Sequence, residues 1–376
     1  MINLVISARD PAAAFHLANV AKKAFNDPRF RVTLVAQSPA ADIFLQKGLA
    51  CHKLPPVSVK SMDSPDMKEL LSLAQSLLDE FEPDVILCGL STPFDAGIDE
   101  ALLFVRDCPA YLLQDFWGEQ NSIIGRGADV VFALDDEAVS LTKERHSCRV
   151  IKTGSARHTV YDELDIQMLR KNRRVQLEVG DDRSVLGLFG QALHGNSGYR
   201  RTLTTWAAAI KSLDNAFAVY RPHPRERDKD IEFTCTLFDK HGLELKVLDN
   251  SVSVEESIAA CDVVASCFSN CLYDAAFMNN FSPVPLVTPM ALFFDEEIVE
   301  YFRSIVNLND FPYIKSGLVY SVYDKDDLVD ALKNAIKPDV KSKYWSAARR
   351  NLLNPRNSCR DMLDIISLDQ SVIKPR

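Results

Sequence analysis

The 376-residue sequence has no long uncharged apolar run, and its first residues lack a basic segment followed by an apolar stretch. A membrane-spanning helix needs about 20 predominantly apolar residues, so we expect a protein that neither crosses a membrane nor is exported. The nine cysteines are odd in number, scattered and without a C-x-x-C pair, which argues against a disulfide framework. These absences predict a cytoplasmic protein.

The sequence also has no excess of positive charge, since its formal net charge is −9. Proteins that bind nucleic acid or anionic lipid usually carry the opposite sign, so we expect no nucleic-acid partner. An anionic small-molecule ligand would require a local basic pocket. The apolar fraction of 47% is that of a globular protein, and the length suits two domains rather than one core.

Short apolar runs alternate with helical patterns along the whole chain. Strand Ile2–Ser7 opens a first series, and strand Val185–Phe189 opens a second that includes a predicted strand at Val284–Val287. Alternation of this kind predicts parallel sheets with helices on both faces. We therefore predict two Rossmann-like, doubly wound α/β domains, 1–160 and 185–340. The highly charged segment 161–184 is interpreted as their connection.

The first motif is the segment Y-R-P-H-P-R-E, residues 220–226, which follows an apolar strand. It brings Arg221, His223 and Arg225 within five residues. Ligands of doubly wound domains bind at the carboxyl ends of the strands, so these side chains are expected at the ligand crevice. Their charge suits a phosphate or diphosphate. The alternative is a proline-rich turn that merely ends a strand and whose charges are solvated.

The second motif, residues 260–276, reads as a strand, a Ser-x-x-Ser-Asn turn and a helix. The helix N-terminus offers free N–H groups and a positive dipole end, to which Ser266, Ser269 and Asn270 add side-chain donors. This pattern predicts a phosphate site. The alternative is that Ser269 or Asn270 only caps the helix. His194, after the first strand of this domain, is expected to face the same crevice.

The order of these two motifs resembles the His-Pro and Ser-rich motifs of bacterial GT-B glycosyltransferases of capsule and lipopolysaccharide synthesis. That group includes sialyltransferases, Kdo transferases and teichoic-acid polymerases. The resemblance covers about residues 185–290. It implies that His223, Ser266 and Ser269 contact the phosphate and nucleotide of the donor. It also implies two domains facing a cleft, with a C-terminal helix at Lys343–Leu353 and its tail, within 341–376, packing back toward the first domain.

The sequence departs from this group after the Ser-rich turn. Many relatives have a Glu-Ala pair there that holds a ribose, whereas this chain has Asp274-Ala275, and we expect Asp274 to take that place with a shorter reach. A weaker similarity is the T-G-S-x-R segment, residues 153–157. It resembles the end of the first domain in GT-B enzymes and in UDP-N-acetylglucosamine 2-epimerases.

Glycosyl transfer with inversion needs one general base near the acceptor hydroxyl. We expect it in the first domain, and the candidates at predicted strand ends are Asp10, Asp95, Asp99, Asp115 and Glu119. Asp115 is favoured because the neighbouring Phe116 and Trp117 would desolvate the carboxyl, raise its pKa and form a sugar platform. For each acid, a helix cap or a solvated loop position is the alternative.

The predicted function is a metal-independent glycosyltransferase without a cofactor. Its partners are a nucleotide-sugar donor, of which CMP-linked acidic sugars are one class, and a surface glycan or lipid-linked acceptor. Peripheral membrane contact and oligomeric state are left open. The D-x-D triplets at 228–230 and 324–326 lie in charged turns and do not predict a metal site. Two other functions stay open: a 2-epimerase-like sugar-nucleotide enzyme, and a non-catalytic GT-B-like binding protein.

Overall fold

The structure is a computed structural model that describes residues 1–249, 251–306 and 308–373. The chain forms two compact units. The first contains residues 1–160 together with the described residues from 353 onward, and the second contains Tyr161–Leu352. None of the helices in the described ranges is both long enough and apolar enough to cross a membrane.

The first unit alternates strands and helices as the sequence predicts. Its elements are β1 (Ile2–Ala8), α1 (Pro11–Phe25), β2 (Phe30–Ala36), α2 (Ala40–Gln46), β3 (His52–Lys53), α3 (Met67–Phe81), β4 (Val85–Gly89), α4 (Ile98–Val105), β5 (Ala110–Leu113), β6 (Val130–Ala133), α5 (Asp136–Arg145), β7 (Arg149–Lys152) and a 3-10 helix, Ala156–Glu163. Within residues 1–160, the strands form one parallel sheet in the order β3-β2-β1-β4-β5-β6-β7.

Both faces of this sheet are buried, as expected for a parallel sheet covered by helices. In β1, Leu4 and Ile6 belong to one apolar core, and Val5 belongs to the core on the opposite face. The period of two along a strand therefore divides the apolar residues between two helical layers. This explains why β1 reads as a nearly continuous apolar run rather than as an alternation.

The second unit repeats the pattern. Its elements are α6 (Ile166–Gln176), β8 (Ser184–Phe189), α7 (Ser197–Lys211), β9 (Ala216–Arg221), α8 (Asp228–Lys240), β10 (Leu245–Val247), α9 (Val254–Ala260), β11 (Val263–Ser266), α10 (Cys271–Phe281), β12 (Thr288–Leu292), α11 (Glu296–Val306), α12 (Pro312–Lys315), β13 (Tyr320–Val322), α13 (Leu328–Ala335) and α14 (Pro338–Asn351). In the part of this unit that the structure describes, the sheet is parallel with the order β10-β9-β8-β11-β12-β13.

The segment 161–184, predicted as a connection, differs from that expectation. It contains helix α6 and belongs to the second unit. Arg170 and Arg174 of this helix bind the carboxylate of Asp262, at 2.7 and 3.2 Å. Asp262 also accepts the backbone N–H of Val185 at 2.9 Å. The charges that suggest a solvated linker therefore attach the helix to the amino edge of the second sheet.

In the C-terminal region, the predicted helix and the predicted tail belong to different units. The helix expected at Lys343–Leu353 is α14, which lies in the second unit. A further helix, α15 (Ser358–Ile373), belongs to the first unit and packs on α1. Its Met362 and Ile366 are fully buried in the core shared with α1, and its Asp364 binds Arg29 at 2.8 Å.

Candidate functional site

The strand order of each unit reverses beside its first strand, at β8 and β11 in the second unit and at β1 and β4 in the first. In open parallel sheets, ligands bind outside the carboxyl ends of the strands at such a reversal. In the second unit, β8 lies between β9 and β11 in the sheet. The first sequence motif follows β9 and the second follows β11, so the end of β8 lies between the two motifs. The carboxyl edge of the second sheet is therefore the candidate ligand site.

Gln191, two residues beyond β8, joins the end of β8 to the second motif. Its side chain is 9% exposed, and its Oε1 accepts hydrogen bonds from the backbone N–H of Phe268 at 3.1 Å and from the Ser266 hydroxyl at 3.3 Å. Its own backbone N–H donates to the Tyr199 hydroxyl at 2.9 Å. Sequence reasoning missed this residue, although its place after a predicted strand was the available signal.

The Phe268 contact fixes the orientation of the Gln191 amide, because a backbone N–H can only donate. The Nε2 group then points away from the turn. Within the described ranges, it makes no hydrogen bond to another residue. Gln191 therefore presents an N–H donor at the point where β8 and β11 diverge.

Gly190 joins the end of β8 to the first motif. The Glu226 carboxylate lies so close that a Cβ on Gly190 would meet its Oε1 at 2.3 Å. Glu226 accepts hydrogen bonds from the Tyr220 hydroxyl and, at 3.1 Å, from the backbone N–H of His223. Burial raises the pKa of Glu226 to about 7. The turn at 221–226 is therefore packed directly against the end of β8.

His223 is neutral at pH 7 rather than cationic. Desolvation, followed by the nearby Arg225 charge, lowers the pKa of its imidazole to about 4. Its Nδ1 accepts the backbone N–H of Arg225 at 3.1 Å, so the single ring proton resides on Nε2. The residue therefore offers a neutral N–H donor, which corrects the expectation of a positive charge at this position.

The two arginines of the first motif differ in availability. Arg221 donates through Nη1 to the carbonyl of Val252 at 2.8 Å and to the hydroxyl of Ser257 at 3.0 Å. These contacts hold the end of β9 to the start of α9. Arg225 is exposed. Of the two, Arg225 is the cation that a ligand could reach without breaking the observed contacts.

The second motif likewise contains side chains that are held by contacts within the protein and one that a ligand could reach. Ser266 is 1% exposed, and its hydroxyl donates to the carbonyl of Phe189 at 2.7 Å. Asn270 accepts the hydroxyl of Tyr313 at 3.1 Å, and Asp274 is buried in the first turn of α10. Ser269, at 3.3 Å from the backbone N–H of Cys271, is half-buried beside the start of α10.

The expectation that His194 faces the crevice is wrong. It is 3% exposed, with its ring edge-on to Tyr199 and Phe233 at centroid distances of 5.2 and 5.9 Å. Its Nε2 lies 3.1 Å from the hydroxyl of Thr234 on α8. Desolvation lowers its pKa. The contacts are those of a neutral core histidine that packs α7 against α8.

In the first unit, Asp115 lies two residues beyond the end of β5. It is 9% exposed, and burial, followed by the charge of Asp10, raises its pKa to about 7. The nearby backbone N–H of the same residue lowers this pKa, but by less than burial raises it. A carboxyl whose pKa is raised into the neutral range suits proton transfer.

The other four candidate acids have partners within the first unit. These partners are the backbone N–H of Thr92 for Asp10, Arg9 for Asp95, the hydroxyls of Ser7 and Ser91 for Asp99, and Arg145 for Glu119. Burial raises the pKa of Asp99 to about 6, but both of its oxygens are already hydrogen-bonded. Among these five candidates, Asp115 is therefore the acid whose carboxyl is not held by another side chain in the hydrogen bonds of the described residues.

The aspartates of the D-x-D triplets have ordinary structural contacts. Asp230 binds Arg227 at 2.9 Å in the first turn of α8. The carboxylate of Asp324 accepts the backbone N–H of Asp326 at 2.9 Å at the start of a 3-10 helix. Both triplets thus begin helices.

Comparison with solved structures gives full-length similarities. MnaA of S. aureus, in a co-structure with UDP, aligns with a TM-score of 0.71 at 13% identity, covering 100% of this chain and 99% of that one. The UDP-GlcNAc 2-epimerase of Neisseria meningitidis, bound to UDP-GlcNAc, gives 0.70 at 13%, covering 97% and 99%. A glycosyltransferase from Rickettsia africae gives 0.62 at 10%, covering 100% and 99%.

No protein-family model and no curated protein matches the sequence. At identities of 10–14%, the structural similarity establishes the fold. The chain has the GT-B-like fold of two parallel-sheet α/β domains, as the sequence predicts. Its structural neighbours include both sugar-nucleotide epimerases and glycosyltransferases.

Proposed function

We propose that this protein is an enzyme that acts on nucleotide-activated sugars. The second unit binds the nucleotide diphosphate or monophosphate at the carboxyl edge of its sheet, and Asp115 of the first unit is the acid-base group. The observation that carries this proposal is the environment of Asp115, a carboxyl at a strand end whose pKa is raised to about 7 by burial. Such groups are concentrated at catalytic sites.

Four groups at the carboxyl edge of the second sheet support phosphate binding. They are the Nε2–H of His223, the Nε2–H of Gln191, the Arg225 guanidinium and the N-terminus of α10. Two are neutral donors, one is a cation and one is a helix dipole. In this arrangement, Ser266 and Arg221 maintain the shape of the site through their internal contacts.

Two reactions begin with cleavage of the bond between sugar and phosphate, and glycosyl transfer is the first candidate. Transfer to an acceptor hydroxyl requires one base. Asp115 fits that requirement because the other acids at the carboxyl edge of the first sheet are engaged by partners. Transfer also requires stabilisation of the negative charge on the departing phosphate. The four groups at the carboxyl edge of the second sheet would supply it.

Epimerisation of a UDP-linked sugar is the second candidate, and the structural comparison favours it. The 2-epimerase bound to UDP-GlcNAc aligns better than the glycosyltransferase, with TM-scores of 0.70 and 0.62. An epimerase releases or rearranges its sugar without an acceptor. The two reactions are therefore separable by whether an acceptor is required.

Product analysis tests the proposal. Purified protein is incubated with UDP-GlcNAc and, separately, with a CMP-activated acidic sugar, each with and without a glycan acceptor. Free nucleotide is then quantified and the sugar product identified. Acceptor-dependent nucleotide release supports transfer, and a C2-epimerised sugar without acceptor supports epimerisation. We expect Asp115→Asn to lower either activity at least 100-fold, roughly the contribution of general acid-base catalysis.

Asp63→Asn removes an exposed carboxyl by the same chemical change and serves as the matched control. Its activity should equal that of the wild type. Nucleotide binding without turnover of any sugar nucleotide would favour a non-catalytic binding protein. Full activity of Asp115→Asn would refute the role of this carboxyl.

A further inference from the structure

Asp10 lies between β1 and α1, where it takes the N-cap position of the helix. An aspartate at that position normally accepts a backbone N–H of the first helical turn. Among the described residues, the Asp10 side chain makes no such capping bond. Its Oδ2 instead accepts the backbone N–H of Thr92, 82 residues along the chain, at 2.5 Å. The carboxylate is therefore directed across the sheet toward the loop after β4, and a helix cap does not account for it.

The register of the sheet places Asp10 level with Asp115. Ser7 of β1 pairs with Cys88 of β4, and Cys88 pairs with Leu112 of β5. Asp10 is three residues beyond Ser7, and Asp115 is three residues beyond Leu112. Adjacent strands lie about 4.8 Å apart, so β1 and β5 are separated by about 10 Å, with β4 between them. The hydrogen bond to the loop after β4 brings the Asp10 carboxylate across part of that distance.

Arg9, the residue before Asp10, binds a different carboxylate. Its Nη1 and Nη2 donate to the side chain and the carbonyl of Asp95, at 2.8 and 2.9 Å. Its Nε lies 4.0 Å from Oδ1 of Asp10. Because the attraction between charges weakens with distance, Asp95 is the main partner of this guanidinium. The arginine beside Asp10 therefore serves chiefly to hold the loop that contains Asp95.

The negative charge of Asp10 acts on Asp115. Burial is the larger cause of the raised pKa of Asp115, and the charge of Asp10 is the next. Arg157, from the segment after β7, acts on Asp115 in the opposite direction. Burial and, to a smaller degree, the charge of Asp10 also raise the pKa of Asp99, but both oxygens of that acid are held by serine hydroxyls. Of these two acids, Asp115 is the one to which the proposed function assigns a proton transfer.

We infer that Asp10 is a positioning residue for the reaction: its carboxylate anchors the loop after β4, and its negative charge keeps the proton on Asp115 up to neutral pH. This inference rests on the role proposed for Asp115. Two carboxylates close together disfavour the ionised form of each other. Removing the charge of Asp10 should therefore favour the ionised form of Asp115 and move its working range to lower pH.

The pH dependence of turnover tests this inference, with UDP-GlcNAc as substrate and with wild type and Asp10→Asn compared. Asparagine keeps an oxygen for the N–H of Thr92 and removes the charge. We expect the limb of the profile that Asp115 governs to move toward acid by at least about 0.5 pH unit, roughly a threefold change in the acid dissociation constant. A purely structural role would lower turnover at every pH without moving that limb.

Urea unfolding gives a second readout, which does not require activity. The stability gained by Asp115→Asn is measured in the wild-type background and in the Asp10→Asn background, at pH 5 and at pH 8.5. At pH 5, folded Asp115 holds its proton and has no charge for Asp10 to repel, so the gain should be equal in the two backgrounds. At pH 8.5, folded Asp115 is ionised, so the gain should be smaller without the charge of Asp10.

Asp165→Asn is the matched control, because Asp165 is an exposed N-cap aspartate that does accept a backbone N–H of its helix, that of Met168 at 2.9 Å. It should change neither readout. Asp10→Ser also removes the charge and supplies a residue that caps helices well, so it replaces Asp10→Asn if that variant does not fold.

The inference is overturned if the gain from Asp115→Asn at pH 8.5 is equal in the two backgrounds. It is also overturned if folded, active Asp10→Asn shows the pH profile of wild type. If wild type turns over no sugar nucleotide, the proposed function fails, and the unfolding comparison alone decides whether Asp10 controls the proton on Asp115.

Discussion

Replacing Asp115 by asparagine should stabilise the protein while it removes activity, and the gain should depend on pH. The carboxyl has a folded-state pKa of about 7 against an ordinary value of 3.8. A raised carboxyl pKa means that the folded state disfavours the ionised form. Below pH 3.8, both states hold the proton and Asp115 costs nothing. Above that value, the unfolded chain loses the proton first, so Asp115 lowers stability progressively until pH 7.

The magnitude follows from linkage. The difference between 3.8 and about 7 corresponds to a full penalty of about 4 kcal/mol above pH 7, and to roughly 1–2 kcal/mol at pH 5. Asparagine has nearly the same shape and no charge. Asp115→Asn should therefore raise the free energy of unfolding by about 2–4 kcal/mol at pH 8.5, and by less at pH 5. The wild-type activity, if Asp115 is a base, should rise with pH through about 7.

Urea unfolding curves at the two pH values measure this effect in wild type, Asp115→Asn and the exposed control Asp63→Asn. The control should show no pH-dependent gain. The description of Asp115 as a buried carboxyl with a raised pKa is refuted by either of two results. One is that Asp115→Asn is no more stable than wild type at pH 8.5, and the other is that its gain in unfolding free energy does not increase with pH.

Three further variants and one control variant probe the second unit. His223→Ala should reduce turnover by roughly 5- to 30-fold, because one neutral hydrogen bond contributes about 1–2 kcal/mol. The midpoint of the urea unfolding curve should change little. A fall in that midpoint large enough to explain the lower turnover by unfolding would contradict this prediction. His194→Ala should instead destabilise folding by about 1–3 kcal/mol and leave the affinity for nucleotide unchanged, as measured by calorimetry. Gly190→Ala should weaken nucleotide binding because its Cβ displaces Glu226, whereas Gly195→Ala, with no atom within 4 Å, should not.

The architecture could be predicted because it depends on periodic apolar patterns. Strands such as β1 and β8 are continuous apolar runs, and each is followed by a helix with polar and apolar faces. The strand predicted at Val284–Val287 shows the limit of this reasoning. The observed strand, β12, is Thr288–Leu292 and contains Pro289, which lacks an N–H for the sheet and disfavours an interior strand on sequence grounds.

The sequence predicts where the candidate residues lie along the sheet, but not the contacts of each side chain. Sequence places residues 220–226 and 266–270 at strand ends, and both follow neighbours of β8 in the sheet. The sequence does not show which polar groups form hydrogen bonds within the protein and are therefore not available to a ligand. Arg221 and Ser266 hold the backbone, and His194 is in the core, because these contacts depend on α9, on β8 and on α8, respectively, packing nearby.

The neutral state of His223 was also beyond sequence reasoning, since it results from burial of the turn and from Arg225 acting on the same ring. Gln191 was missed because its place after a strand, the available signal, does not show which residue its side chain contacts. Its importance comes from a contact with Phe268, 77 residues along the chain. Asp115 could be selected because a carboxyl flanked by aromatic residues at a strand end already predicts desolvation.

Calorimetric titration of the full-length protein with UDP, UDP-GlcNAc and CMP is the most direct test of the central claim that the second unit binds a nucleotide-activated sugar. The comparison is wild type against Gln191→Glu. This substitution keeps the oxygen that accepts from Phe268 and replaces only the outward-facing N–H donor by a negative charge. We expect wild type to bind at least one of these nucleotides and Gln191→Glu to bind it at least roughly tenfold more weakly, under conditions in which a urea unfolding curve shows the variant to be folded. Binding of none of the three by wild type, or equal affinity in the variant, would contradict the account.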